Sequence, residues 1–141
     1  MLKYWTLRIL MVSLLAVGAA ACDDEVPTSP TDPPDPSTET FSGTVTQNGA
    51  QTRSFATAAS GTVTATLKEI GPGSDLTIGF SLGNWIEATS TCQIVLANDA
   101  ATGGAILTGT VTNAGTLCIR MYDVGKIAAT PAVYTVEVVH P

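Results

Sequence analysis

Three cysteines offer the clearest chemistry in this 141-residue sequence. Cys22 ends an apolar run near the start of the chain, whereas Cys92 and Cys118 lie in segments with strand-like alternation. Two thiols within one domain pair in an oxidising compartment. We predict a disulfide between Cys92 and Cys118, which leaves Cys22 as the odd thiol. Two buried free thiols are the alternative, and metal binding is disfavoured because the sequence has neither CxxC spacing nor a second histidine.

Acid–base residues are sparse. His140 is the only histidine and stands beside the C-terminus, where we expect fraying, so it is a poor candidate for a general base. Asp75, Asp99 and Asp123 are scattered among turns, and we expect each to make an Asx turn or a strand-end hydrogen bond. A calcium site on Asp75 and Asp123 is the alternative. Without a GxSxG motif or a phosphate-binding loop, the sequence predicts no enzyme, no catalytic residue, no metal site and no cofactor.

Trp85 is the candidate ligand-binding residue. It is the only tryptophan of the C-terminal part and follows the turn-like pair Gly83-Asn84, which predicts a loop. An exposed indole there would stack on a sugar ring or anchor a protein contact. The alternative, which we prefer, is structural burial at the open end of the domain or against a disulfide at Cys92.

The N-terminal segment has the organisation of an export signal. Lys3 and Arg8 precede an apolar run from Ile9 through Ala21. This run is shorter than the roughly 20 residues that span a bilayer as a helix, so we expect residues 1–21 to be removed. Ala19-Ala20-Ala21 before Cys22 resembles the bacterial lipobox, with Ala19 where leucine is most frequent. The resemblance implies cleavage before Cys22 and lipidation of its thiol; ordinary secretion with a free Cys22 is the alternative.

Residues 22–40 are interpreted as the lipid anchor and a disordered linker. Residues 23–40 contain five prolines and six carboxylates but no basic residue, so they cannot form a core. Proline-rich chain favours the extended polyproline II conformation and would hold a domain away from the membrane. Because half of the twelve acidic residues lie there, the net charge of −6 belongs largely to the linker. The sequence lacks the basic patch of a nucleic-acid-binding protein.

Residues 41–141 alternate with the period of β-strands. Charged residues make up only 13% of the chain, and threonine takes their place on the polar faces. Asn48-Gly49 predicts a hairpin, and Asn98-Asp99 predicts a break between strands. About eight short strands in one domain pack into two sheets more readily than into one. We therefore predict an all-β fold, an antiparallel β-sandwich of the jelly-roll type.

Four segments carry a shared pattern: Gly61–Leu67, Asp75–Ile78, Gly115–Gly125 and Tyr134–Val139. In this order, they resemble the bacterial pre-peptidase C-terminal domain family. The resemblance covers Phe41 to His140, with Leu117 where the family often has tyrosine. It implies a small β-sandwich of the kind appended to secreted peptidases and other envelope proteins, of which some bind collagen or glycans and some bind calcium. This chain carries no peptidase, so we take from the resemblance the fold and a binding or spacer role.

These observations predict a lipoprotein of the bacterial cell envelope, anchored through an N-terminal lipid and facing the periplasm or the surface. The sequence does not distinguish the inner from the outer membrane. The domain is expected to be a non-catalytic binding module for a glycan or another envelope protein. The alternative is a structural subunit or spacer with no soluble ligand.

Replacing Cys22 with serine tests the anchor. Cys22→Ser should no longer partition into detergent, because the acyl chains supply the membrane affinity. Phase partitioning of whole-cell extracts, followed by immunoblotting, measures this. A Cys22→Ser protein that still fractionates wholly with membranes would contradict the lipid anchor.

Overall fold

A computed structural model describes residues 34–73 and 75–141. The predicted signal peptide, Cys22 and most of the predicted linker lie outside the described residues. Within the described part, no helix is long and apolar enough to cross a membrane.

The described chain is built from strands. The predicted all-β sandwich of two antiparallel sheets is confirmed. A 3₁₀ helix of three residues, Glu87–Thr89, is the one helical element of the described chain. The eight strands are β1 Ser37–Val45, β2 Ala50–Thr57, β3 Gly61–Gly71, β4 Ile78–Ile86, β5 Thr91–Ala101, β6 Ile106–Val111, β7 Gly115–Tyr122 and β8 Ala132–His140.

Each sheet has four strands. Sheet A has the order β1-β8-β3-β6 and sheet B the order β2-β7-β4-β5. The pairs β1·β8, β2·β7, β3·β6 and β4·β5 join the first strand to the last, the second to the seventh, and so on inward. The chain is thus an antiparallel ribbon folded at its middle, with successive pairs alternating between the sheets. The pairs β3·β8 and β4·β7 complete the two sheets.

The core lies between the inner faces of the two sheets. Val63, Ala65 and Leu67 of β3 are fully buried, as their alternation with threonine predicts. Phe80 of β4 and Tyr134 of β8 are the largest buried side chains near them. Each large apolar side chain that is fully buried contributes about 1.5 to 3 kcal/mol to the free energy of unfolding.

The boundary between linker and domain differs from the prediction. Strand β1 begins at Ser37, so Ser37–Thr40, assigned to the linker, belong to the fold and pair with β8. His140 is not frayed: it is 5% exposed, and its Nε2 lies 3.0 Å from Oε1 of Glu39. Composition did not reveal this part of the strand, because Glu39 has the same character as the carboxylates of the linker and its partner is distant in sequence.

Two of the predicted turns are corrected by the sheet topology. Asn48-Gly49 does form a turn, in which Gly49 N–H donates to the Thr46 carbonyl at 2.9 Å. It is not a hairpin, because β1 and β2 lie in different sheets. Asn98-Asp99 does not break the chain but lies within β5. A turn dipeptide reports only local geometry, whereas the partner of each strand is set by long-range packing.

Gly83-Asn84 and Trp85 do not form a loop; all three lie within β4. Gly83 is required by a close approach of β5, since a Cβ at this position would collide with the Gln93 carbonyl group and lie 2.9 Å from Cα of Ile94. The glycine was therefore misread as a turn signal. Trp85 is half-buried and stands opposite Cys92 in the β4–β5 register.

The predicted disulfide between Cys92 and Cys118 is present, with the Cα atoms 5.8 Å apart. It joins β5 to β7, although β4 lies between them in the sheet. The bond passes beside Gly83, which pairs with Cys118 on one side and Ile94 on the other. Closing a separation of 26 residues stabilises the fold by about 3 to 4 kcal/mol, whether the origin is chain entropy or solvation.

A methyl group at Gly83 should destabilise the sandwich. Gly83→Ala is expected to lower the free energy of unfolding by about 1 to 3 kcal/mol, because the backbone of β5 must move away. Gly115→Ala is the matched control, since a Cβ at Gly115 meets no atom within 4 Å. Denaturant unfolding of both variants measures the difference. Equal stability of the two variants would contradict the close approach.

Candidate functional site

The outer face of sheet B has an unusually bare strand at its centre. Gly79, Ser81 and Gly83 of β4 point outward, because the alternate residues Phe80 and Leu82 are buried in the core. The lack of large side chains at these three outward positions allows side chains of β7 to extend across β4 to β5.

Two links cross β4 in this way. One is the disulfide beside Gly83. The other is formed by Tyr122 of β7, whose ring lies where a Cβ of Gly79 would be and whose hydroxyl donates a hydrogen bond to Oδ1 of Asp99 on β5. Burial and the hydrogen bond to Asp99 raise the pKa of Tyr122 to about 12.

Arg120 lies between these two links on the same face of β7. Its guanidinium carbon is 5.7 Å from the centroid of the Tyr122 ring, a cation–π contact. Its backbone carbonyl accepts a hydrogen bond from the Ser81 hydroxyl at 3.2 Å. Among the described residues, its side chain forms no ion pair and donates no hydrogen bond. A positive group with five N–H donors is thus held in place without an acceptor.

A cleft of about 420 Å³ opens beside this guanidinium. Its size falls within the range of roughly 300 to 1,000 Å³ that is common for ligand sites. Ser90 forms part of one wall, and its left-handed conformation, with φ of 50°, ends the 3₁₀ helix and turns the chain into β5. The lining residues are Ala50, Thr52, Ser90, Thr91, Cys92 and Arg120.

Two other clefts of similar size in the described chain offer no cation that lacks an ion-pair partner. One of about 470 Å³ is lined by Lys68 and Glu69, but Nζ of Lys68 already lies 3.6 Å from Oε1 of Glu137. Another, of about 340 Å³, lies between the edges of the two sheets and is lined by apolar residues such as Leu82 and Val95. The cleft at Arg120 is therefore the candidate site.

The predicted site residues are only partly brought together. Cys92 lines the cleft, and Cys118 is bonded to it. Trp85 stands opposite Cys92 in the register but does not line the cleft. Its proposed contact with a ligand stays a prediction.

Asp123 has the structural role predicted for it. Its Oδ1 accepts hydrogen bonds from the backbone N–H groups of Gly125, Lys126 and Ile127, and its Oδ2 accepts one from Asn48 at 2.8 Å. These N–H groups, that of Asn48 most of all, lower the pKa of Asp123. Both oxygens are engaged in fixing the β7–β8 connection to the β1–β2 turn. Within residues 34–73 and 75–141, no cluster of acidic, histidine and cysteine side chains is suited to hold a metal ion.

The importance of Arg120, Tyr122 and Asp99 was missed at the level of sequence. The spacing of Arg120 and Tyr122 places them on one face of a strand, which periodicity alone can show. Their relation to Asp99 could not be inferred, because it depends on β4 lying between β7 and β5. The rarity of basic residues was the available signal, since the sequence holds only six.

Comparison of the sequence with protein-family models and with curated proteins finds no match. The resemblance to the pre-peptidase C-terminal domain family therefore stays a prediction. The candidate site is defined by its geometry alone.

The Tyr122–Asp99 hydrogen bond should make stability fall at high pH. Because the folded-state pKa is raised from 10.0 to about 12, the stabilisation is fully present below pH 10 and is lost as the pH rises through about 12. Tyr122→Phe keeps the ring over Gly79 but removes the hydroxyl, so this part of the pH dependence should vanish. Melting temperatures of both proteins across this interval provide the measurement. Parallel curves for wild type and variant would contradict the assignment.

Proposed function

We propose that this protein is a lipoprotein of a bacterial cell envelope whose β-sandwich is a non-catalytic binding module for an envelope component, a glycan or a protein. The ligand would occupy the cleft at Arg120. The single observation that carries this proposal is a guanidinium in a cleft, over the Tyr122 ring, with no hydrogen-bond acceptor among residues 34–73 and 75–141. The tether at Cys22 is supported by the apolar run and the small residues before that cysteine.

We propose further that the sandwich is of the jelly-roll type. The support comes from strand pairing: the first strand pairs with the last, and each following strand pairs with the next one inward. An antiparallel ribbon wound in this way, with its pairs alternating between two sheets, is what a jelly-roll sandwich requires.

A binding role without catalysis fits the contacts of the histidine and aspartate side chains, which hold the fold together. The His140 ring is enclosed, with Nε2 against Glu39 and Nδ1 3.1 Å from the Pro141 carbonyl oxygen. The oxygens of Asp123 accept backbone N–H groups, and an oxygen of Asp99 accepts the Tyr122 hydroxyl. These groups are occupied in holding the fold.

A structural subunit remains the second candidate, and a specific surface favours it. Val95 of β5 is 64% exposed and Ile106 of β6 is 59% exposed, and both strands are sheet edges. Such an apolar edge is suited to packing against a partner. The outer face of sheet A, by contrast, carries rows of threonine such as Thr62, Thr64 and Thr110, which are typical of a passive surface.

Site-specific photo-cross-linking in intact cells distinguishes the two candidates. A diazirine side chain at Thr91, in the cleft, should form an adduct with an envelope component, because it lies beside the bound ligand. The same group at Thr64, on the outer face of sheet A, is the matched control and should form none. Gel mobility and mass spectrometry report the adducts. Adducts from Val95 alone, with none from Thr91, would contradict the binding cleft and support the structural subunit.

A further inference from the structure

The chemistry of the cleft specifies more than a binding role. The guanidinium carbon of Arg120 lies over the Tyr122 ring, and its N–H donors have no acceptor among the described residues. Asp99 forms no ion pair with this guanidinium, and its Oδ1 accepts the Tyr122 hydroxyl instead. In the part of the chain that the structure describes, no acidic residue lines the cleft. A planar group with parallel N–H donors is matched by a carboxylate, which can accept two of these hydrogen bonds at once.

The remaining polar groups of the cleft are hydroxyls. Thr52 lies directly opposite Arg120 in the β2–β7 register. Ser90 and Thr91 line the cleft with it, and the Thr91 hydroxyl shares a hydrogen bond of 2.7 Å with Thr89. A hydroxyl both donates and accepts, so such a set matches the hydroxyls of a sugar ring.

A peptide is a poorer match for this position. An extended peptide gains most of its affinity from unpaired backbone groups at a sheet edge. Arg120 lies instead on β7, an interior strand that is already paired with β2 and β4. Recognition at Arg120 must therefore come from side chains.

We propose that the cleft binds a uronic acid residue of an acidic polysaccharide, with the carboxylate on the Arg120 guanidinium and the ring hydroxyls near Thr52 and Ser90. This inference rests on the proposed binding function and names the ligand class of the same site. It implies that the affinity for the acidic polysaccharide falls as salt is added, since the pair of carboxylate and guanidinium is accessible to solvent.

Calorimetric titration of the purified full-length protein in detergent tests the ligand class. The probes are galacturonate oligomers and galactose oligomers of equal length, which differ in the carboxylate. The acidic oligomers should bind at least roughly tenfold more tightly, because a charge-assisted hydrogen-bonded pair is lost with the neutral ones. Equal affinity for both oligomers, or no binding of the acidic ones, would overturn the proposal.

Variants of Arg120 connect the affinity to the guanidinium. Arg120→Gln should weaken binding of the acidic oligomers by roughly tenfold or more, and Arg120→Lys, which keeps the charge but not the fork of donors, should lie between. Arg53→Gln is the matched control, because Arg53 does not line the cleft. The Arg53 charge acts instead on the buried Tyr134: burial raises the pKa of Tyr134, and Arg53 lowers it. Melting curves verify that each variant folds. Unchanged affinity in folded Arg120→Gln would overturn the proposal.

Competition against the Thr91 cross-link separates failure of this inference from failure of the binding function. The acidic oligomers should suppress the adduct, and the neutral oligomers should not. An adduct that persists in excess acidic oligomer leaves the binding function standing and rejects the uronic acid. Suppression by an aspartate-rich peptide, but not by the oligomers, rejects the sugar in favour of a protein ligand. Absence of any Thr91 adduct rejects the binding function itself.

Discussion

The absence of large side chains at Gly79, Ser81 and Gly83, on the outer face of β4, is the constraint on which the rest of sheet B depends. At Gly83 the backbone of β5 occupies the space that a Cβ would fill, and at Gly79 the ring of Tyr122 does so. Both contacts bring a group of β7 or β5 over a strand that would ordinarily separate them. Two non-adjacent strands are thus joined by one covalent bond and one hydrogen bond. Neither link could form over a strand with larger side chains at these positions.

The same constraint places Arg120. Its long side chain would sample many rotamers on an open sheet, and ordering it costs up to about 2 kcal/mol. Here the Tyr122 ring is itself held by Asp99, and it offers the guanidinium a fixed face. The disulfide on the other side brings Cys92 and its neighbours over the sheet as a wall of the cleft. The arrangement positions one cation before any ligand arrives, which reduces the entropy lost on binding.

Most of the strands could be predicted from the sequence, because alternation is a local property. The runs around Val63 and around Val136 show it without interruption, and both form central strands. The disulfide could be predicted from the cysteine count. The predictions made from short polar or glycine motifs were wrong. Gly83-Asn84 looked like a turn, but the glycine serves a contact with a strand that the local sequence does not reveal.

Other failures have the same origin. Glu39 belongs to β1 because β1 pairs with β8, the last strand in the sequence, and His140 of β8 contacts its carboxylate. Asn48-Gly49 turns the chain as expected, yet whether a turn makes a hairpin depends on which strand each arm finds. The candidate site combines β2, β5 and β7, and no local pattern contains that combination. The fold class was accessible from the sequence, whereas the site required the topology.

The position of β1 has a mechanical consequence. The linker enters the domain at Ser37, the first residue of a strand that is bonded on one side only, to β8. In the lipoprotein proposed above, a ligand held at Arg120 on sheet B and a tether pulled at Ser37 would put the domain under tension, with the load passing through β1 and β8 before it crosses the core. The contact of Glu39 with His140 and the tilted contact of the Phe41 and Phe55 rings, 6.3 Å between centroids, lie where that load would enter. They secure the outermost strand to the sandwich where traction on the tether would first be felt.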